Sequence, residues 1–294
     1  MGMQSDLRRQ AGVISLGQAL AAGMSRTAVG RRVESGRWVV LHPRVYLAAD
    51  HPRTDEVRLR AAVLWAGPEA VTHGVSAAWW HGLHPRLPRP VEVTVPRHRR
   101  PRPRPGIVVR QRDVDPQDRS EYRDLPVTGI ALTAIEAAVA LGPDGSVLLD
   151  RALQQCVDFG WVHRAHCRNL GRRGSAAASA LLVAAADRAA SQAERLLVRL
   201  LGSAGIPGWV LNHAWEGYVI DVAFPRQRIA IEVDGWAWHM TPERFVRDRQ
   251  RQNAVVNGGW HVLRFSWHDL TQRPDAVLAD IGAALATADH RFAT

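Results

Sequence analysis

The 294-residue chain contains no lysine: all 38 of its basic residues are arginines. It has only two cysteines, Cys156 and Cys167, so it lacks the material for a disulfide framework or a four-cysteine zinc site. No uninterrupted apolar run approaches the ~20 residues that cross a bilayer. The start, "MGMQSDLRRQ", has no signal-like apolar core. The expected location is therefore the cytoplasm, with reduced thiols and no membrane partner. Against 28 acidic residues the arginines leave a formal charge of +10. Wholesale replacement of lysine by arginine is what a GC-rich genome produces, and says nothing about function. The net charge is a separate matter. A guanidinium presents a donor fork that fits phosphate, so nucleic acid is the first partner to consider. Hydrophobic residues make up 46% of the chain, which excludes a disordered polyelectrolyte, and the length allows two or three domains.

The pattern along the chain divides it into four stretches. Residues 1–50 have the spacing of a winged helix-turn-helix. "SLGQALAAG" (15–23) is a short helix ended by Gly23, and "SRTAVGRRVESG" (25–36) opens on Ser25 as N-cap. "RWVVLHPRVYLAA" follows as two short strands around a "HPR" turn. Arg26, Arg31 and Arg32 lie on the second helix, either as DNA contacts or as a solvated basic face. Residues 51–144 form an α/β middle domain: helical stretches at 55–67 and 70–82, strands at 91–96 and 106–112, and a helix through "TGIALTAIEAAVALG". Between the strands, "RHRRPRPRP" is blocked from helix by its prolines. It either tracks phosphates or forms a hairpin tip. A helical connector covers 145–190, with "GRRGSAAASA" (171–180) as a small, basic boundary. Residues 191–294 alternate helix, three strands, helix, strand and helix.

The last stretch contains the unusual chemistry. In "IDVAFPRQRIAIEVDGWAWH" (220–239), Asp221 interrupts an apolar strand, and Glu232 and Asp234 stand in and beside another. A buried carboxylate is costly unless something compensates it. Antiparallel strands bring Asp221 and Glu232 to one end of a sheet. Two carboxylates and a main-chain carbonyl suit Mg²⁺ or Mn²⁺, which take hard oxygen ligands. Such an ion polarises a phosphoryl oxygen and activates water. His239, just past the strand, is suited to moving a proton near neutral pH.

The pattern "YVIDVAF…IAIEVDGWAWH…RDRQRQNAVVNGGWHVLRFSW" resembles the very-short-patch-repair-like endonuclease domains, a branch of the PD-(D/E)XK nuclease superfamily. The resemblance covers about the last hundred residues. It implies a restriction-endonuclease-like mixed β-sheet flanked by helices. It also implies that Asp221 and Glu232 are the metal carboxylates, with the Val233 carbonyl beside them. His239 matches the active-site histidine, Glu194 in "SQAERLL" the acidic residue of the first helix, and Asp248 and Arg249 the helix motif. Arg264 matches the strand that follows. Arg247, Arg264 and Trp238 are the implied DNA contacts here, the indole as a wedge into the base stack. Asp234 stands where the superfamily commonly has lysine, so histidine or arginine must replace that ammonium or the site is crippled. The zinc site of the mismatch endonucleases is missing.

The first half resembles AbiEi-type antitoxins of type IV toxin–antitoxin systems. The winged helix "GVISLGQALAAGMSRTAVGRRVESGRWVVLHPRVYLAA" carries most of that resemblance, and "LPVTGIALTAIEAAVALG" extends it. It implies operator-DNA binding and a toxin-like protein partner. The expectation is thus a multi-domain α/β protein with a winged helix, a middle domain and a nuclease-like domain. Its expected activity is metal-dependent hydrolysis of DNA phosphodiesters, with Asp221 and Glu232 on Mg²⁺ or Mn²⁺. His239 or Asp234 handles the proton, Arg249 offsets phosphate charge, and the role is repair or defence against foreign DNA. The alternatives are a non-catalytic DNA-binding regulator with a degenerate nuclease fold, and an RNA nuclease.

Overall fold

The computed structural model describes residues 2–234 and 242–292, with backbone alone at 234, 242–248, 291 and 292. The chain forms two compact units, Met1–Ala178 and Ser179–Thr294.

The first unit begins with the winged helix-turn-helix. Helix α1 (Met3–Arg9) leads to β1 (Val13–Ser15), α2 (Leu16–Ala21), α3 (Arg26–Glu34), β2 (Trp38–His42) and β3 (Val45–Ala48). Ser15 starts α2 through a capping box with Gln18, and Ser25 starts α3 by accepting the Ala28 N–H. Gly23, at φ 88°, makes the turn between the two helices in the left-handed region that glycine adopts without strain. The strands form an antiparallel sheet in the order β1-β3-β2. Ile14, Ala19, Val29 and Trp38 fill the space under the helices. The helices and wing correspond to the expected ones. Helix α1 and strand β1 were not anticipated, because β1 is only three residues long and is held by pairing with Val45–Leu47, far along the chain.

The rest of this unit runs α4 (Asp55–Ala66), β4 (Val71–Thr72), α5 (Gly74–Trp80), β5 (Val91–Val95), β6 (Ile107–Gln111), β7 (Arg119–Tyr122) and β8 (Leu125–Thr128). Helices α6 (Ile130–Leu141), α7 (Gly145–Gln155) and α8 (Phe159–Arg168) follow. The sheet order is β6-β5-β4-β8-β7. Strands β5 and β6 are parallel, so the Arg/Pro segment between them is a crossover and not a hairpin tip. Residues 130–155 are long and apolar enough on average to cross a membrane. A turn at Gly142–Asp144 breaks them into α6 and α7, and Leu132, Ile135 and Leu149 are buried in the unit's interior. Cys156 and Cys167 are exposed free thiols.

Helix α9 (Ser175–Ser203) runs without a break through the expected boundary at 190/191. The division between the two units, at Ala178/Ser179, falls inside the stretch 171–180 expected as the boundary, and the chain stays helical across it because alanine is the strongest helix former. The second unit continues with β9 (Val210–Trp215), β10 (Tyr218–Phe224), β11 (Ile229–Asp234), α10 (Pro242–Asn257), β12 (His261–Ser266), α11 (Trp267–Gln272) and α12 (Pro274–Phe292). The sheet order is β12-β11-β10-β9, with β9, β10 and β11 antiparallel and β12 parallel to β11. One face carries Val222, Phe224, Ile229 and Ile231 against Leu197 and Leu201 of α9 and Val277 and Ile281 of α12. Each such fully buried side chain contributes about 1.5–3 kcal/mol. The other face carries Ala223 and Ala230 against Val255 of α10 and Trp260. Alternation along β11 then sends Glu232 to the α10 face.

Candidate active site

The antiparallel ladder between β10 and β11 runs from the Phe224–Ile229 pair to the Val222–Ile231 pair and ends there. Asp221 and Glu232 are the next residues on each strand, so both lie at the same end of the sheet. Asp221 Oδ2 accepts the Val233 N–H at 3.0 Å, which ties the two strands together at that end. On the other side of β10, the β9 pairing skips Asp221. Its register partner Asn212 has φ 49°, a left-handed conformation that asparagine tolerates better than most residues.

Glu232 lies within β11, between Ile231 and Val233, and is buried. Arg251 of α10 donates from Nη2 to Glu232 Oε2 at 2.5 Å and from Nη1 to the Val219 carbonyl at 3.1 Å. Arg264 occupies the paired position on β12 and donates to Gln252 Oε1 at 2.9 Å. Glu232, Arg251, Gln252 and Arg264 together line a small pocket. Burial first, and the Asp221 charge second, push Glu232 up to about 7, against the pull of Arg251 and Arg264. Burial first and Asp221 second also raise Glu194, on α9, with Arg195 opposing. Three carboxylates on three elements therefore share one electrostatic environment, and two of them are held back from ionising. Among the described residues no cluster of three or more His, Cys, Asp or Glu is arranged as a metal cage. The donor set fits a weaker arrangement: Mg²⁺ keeps several waters and needs only one or two carboxylates from protein.

The structure thus brings together Asp221, Glu232, Glu194 and Arg264. Arg249 lies on an exposed part of α10, and Arg251, two residues on, makes the contact with Glu232. The backbone of Asp234 ends β11 opposite Ser266. Its side chain, that of Arg247, and all of Trp238 and His239 lie outside the described residues. In the first unit Arg26 and Arg31 are exposed along α3, whereas the Arg32 guanidinium lies 5.5 Å from the Trp38 ring centroid. Arg251 and Gln252, which contact Glu232 and Arg264, are not singled out by the sequence pattern, because nothing in it tells which side chains of α10 face the sheet.

A mixed four-stranded sheet with flanking helices and acidic residues at the ends of two neighbouring strands is the architecture of a restriction-endonuclease-like unit. Residues 195–285 match the restriction-endonuclease family model REase_MTES_1575. Residues 5–49 match the family described as "Transcriptional regulator, AbiEi antitoxin". The chain therefore carries an AbiEi antitoxin domain at its N-terminus and a restriction-endonuclease-like domain at its C-terminus. Two Mycobacterium tuberculosis proteins, "Uncharacterized protein MT2308" of strain CDC 1551 and "Uncharacterized protein Rv2248" of strain H37Rv, are similar along nearly their whole length. Each is 29% identical over 270 residues, covering 89% of this chain and 97% of the relative. Among solved structures, the catalytic domain of a homing endonuclease matches 32% of this chain and 94% of its own, at 23% identity and a TM-score of 0.28.

Proposed function

We propose that the protein is a cytoplasmic, divalent-metal-dependent DNA endonuclease whose winged helix delivers it to DNA. The observation that carries the proposal is the coupled set Asp221, Glu232 and Glu194 at one end of a restriction-endonuclease-like sheet. Asp221 and Glu232 would hold Mg²⁺ or Mn²⁺, with Glu194 beside them. Such an ion supplies a Lewis acid for the phosphoryl oxygen and lowers the pKa of water. Arg251 and Arg264 supply the positive charge that a lysine-free chain must find elsewhere, and guanidinium forks suit phosphate oxygens. Gln252 orients Arg264. His239 or Asp234 is assigned the proton. The role is repair or defence against foreign DNA, with a toxin-like protein as possible second partner. Supercoiled plasmid should be nicked or linearised with Mg²⁺ or Mn²⁺ and left intact with chelator, and a competing RNA should not protect it. Cleavage of the RNA instead would replace DNA by RNA as substrate.

A second reading has one observation in its favour. Arg251 already occupies Glu232 Oε2, as expected of a scaffold that keeps the nuclease fold for DNA binding without chemistry. Under that reading no plasmid cleavage occurs with any divalent ion. Arg251→Ala bears on the electrostatics in either case. Without the guanidinium, Glu232 should titrate above 7, which carboxyl-resolved NMR would follow in metal-free protein. An unchanged titration would show that the ion pair does not govern Glu232.

The DNA-delivery part has its own test. Each arginine–phosphate contact contributes about 0.9 to the slope of log affinity against log salt. Arg26→Ala with Arg31→Ala should therefore flatten that slope by roughly 2, measured by fluorescence anisotropy across a NaCl series. Arg32 is left in place because it also packs on Trp38. An unaltered slope would mean that α3 does not face DNA.

A further inference from the structure

The first unit contains a cleft of about 490 Å³ that the nuclease reading does not use. It lies between strands β5 and β6, helix α6 and residues 169–178, and so includes the basic "GRR" segment before α9. At its base Glu136 accepts both terminal nitrogens of Arg112, one at 2.8 Å, and both side chains are largely buried. Arg110 Nη1 lies 3.7 Å from the same carboxylate. Arg172 and Arg173 complete a set of four arginines around the cleft. Their opposing acids are Glu136 and Glu92, and Glu92 is already engaged by the Ser76 N–H at 3.0 Å. The lining thus holds an excess of two positive charges. Burial first, then the like charges of Arg112, Arg173 and Arg172, push Arg110 below its ordinary value, against the pull of Glu136.

The same lining holds polar atoms with no hydrogen-bond partner: His73 Nε2, Arg112 Nε, Asn169 Oδ1 and Arg172 Nη1. Buried polar groups in folded proteins are nearly always paired, with protein, water or ligand, so these atoms give the cleft donors and acceptors that a polar ligand can engage. His73 is neutral, burial having pushed it down to about 4. Its Nδ1 faces the Glu136 carboxylate at 3.8 Å, which favours the proton on that nitrogen and leaves Nε2 as an acceptor. The unpartnered set is therefore two donors on arginine and two acceptors, His73 and Asn169. The remaining wall is apolar: Val109, Leu132, Ile135 and Val139.

We propose that this cleft binds a nucleoside monophosphate. The dianionic phosphate matches the charge excess on Arg110, Arg172 and Arg173. Sugar hydroxyls donate to His73 and Asn169, and the base lies on the apolar wall. The volume is of the size that small-ligand clefts have. A duplex is excluded as the occupant, because its sugars, held in the stacked backbone, cannot enter the cleft to reach side chains as buried as His73 and Asn169.

The test is calorimetry on the full chain with AMP, GMP, CMP and UMP, with inorganic phosphate and with the corresponding nucleosides. The expected result is one-site binding of at least one monophosphate, about tenfold or more tighter than either phosphate or its nucleoside. Arg172→Ala should weaken it by about tenfold or more. Ala140→Trp, at an exposed position lining the cleft, should block it sterically without altering the melting temperature. Failure of all four nucleotides to bind would overturn the proposal. So would phosphate binding as tightly as the nucleotides, full affinity in a folded Ala140→Trp protein, or displacement of the nucleotide by a saturating DNA duplex.

Discussion

Asp221→Asn and Glu232→Gln should each reduce metal-dependent DNA cleavage by at least about a thousandfold while leaving the fold intact. A bound ion supplies several kcal/mol of charge stabilisation to a phosphoryl transition state, and about 4 kcal/mol already corresponds to three orders of magnitude. Each substitution keeps the side chain's shape and removes the charge that would hold the ion. At Asp221 the amide oxygen of asparagine still accepts the Val233 N–H, so the end of the β10–β11 ladder is preserved. At Glu232 the glutamine oxygen still accepts from Arg251, now as a neutral–charged hydrogen bond. Single-turnover cleavage, with circular dichroism as the fold check, measures both. Wild-type rates in both variants would place the chemistry elsewhere in the chain.

The second large effect is on stability, and its sign follows from Glu232. The unfolded glutamate titrates near its ordinary 4.5, the folded one at about 7. Between those values the folded chain binds the extra proton. Stability should therefore fall as pH rises from 4.5 through 7, and flatten above. A gap of about 2.5 pH units is worth roughly 3 kcal/mol. Glu194, raised in the same direction, adds to the fall. Denaturant melts of metal-free protein at pH 5 and pH 8 should show the loss in the transition of the second unit. Glu232→Gln should abolish most of it and be the more stable protein at pH 8. Saturating Mg²⁺ should also reduce the loss in wild type, since a cation favours the ionised carboxylate. A pH slope that survives in Glu232→Gln would show that another group carries it.

How much of this was visible in the primary structure differed from element to element, for physical reasons. Strands β10 and β11 were plain because each is a short apolar run, joined by a polar "PRQR" turn. Helix α3 was plain because Ser25 caps it after the glycine turn. By contrast, 70–82 had a helical composition throughout, yet β4 takes Val71 and Thr72 by pairing with β5 and β8. Gly74, at φ 60°, makes the bend that separates that strand from α5, and a Cβ there would meet Glu92 Oε2 at 2.8 Å. The start of α9 was obscured because glycine, serine and arginine before it have a linker composition. At the site, the carboxylates stood out because charge is unusual in an apolar strand. That Arg251 reaches Glu232 could not be read from the sequence, since only the docking of α10 decides it. The cleft of the first unit was invisible, because its lining comes from elements scattered between His73 and Ala178.

The central claim is that Asp221 and Glu232 form one divalent-cation site, and calorimetric titration of Mn²⁺ into the full chain at pH 8 tests it most directly. The expected result is a single saturable site in wild type that is lost in Asp221→Asn and in Glu232→Gln. Binding that is absent from the wild-type protein, or that persists with unchanged affinity in both variants, would contradict it.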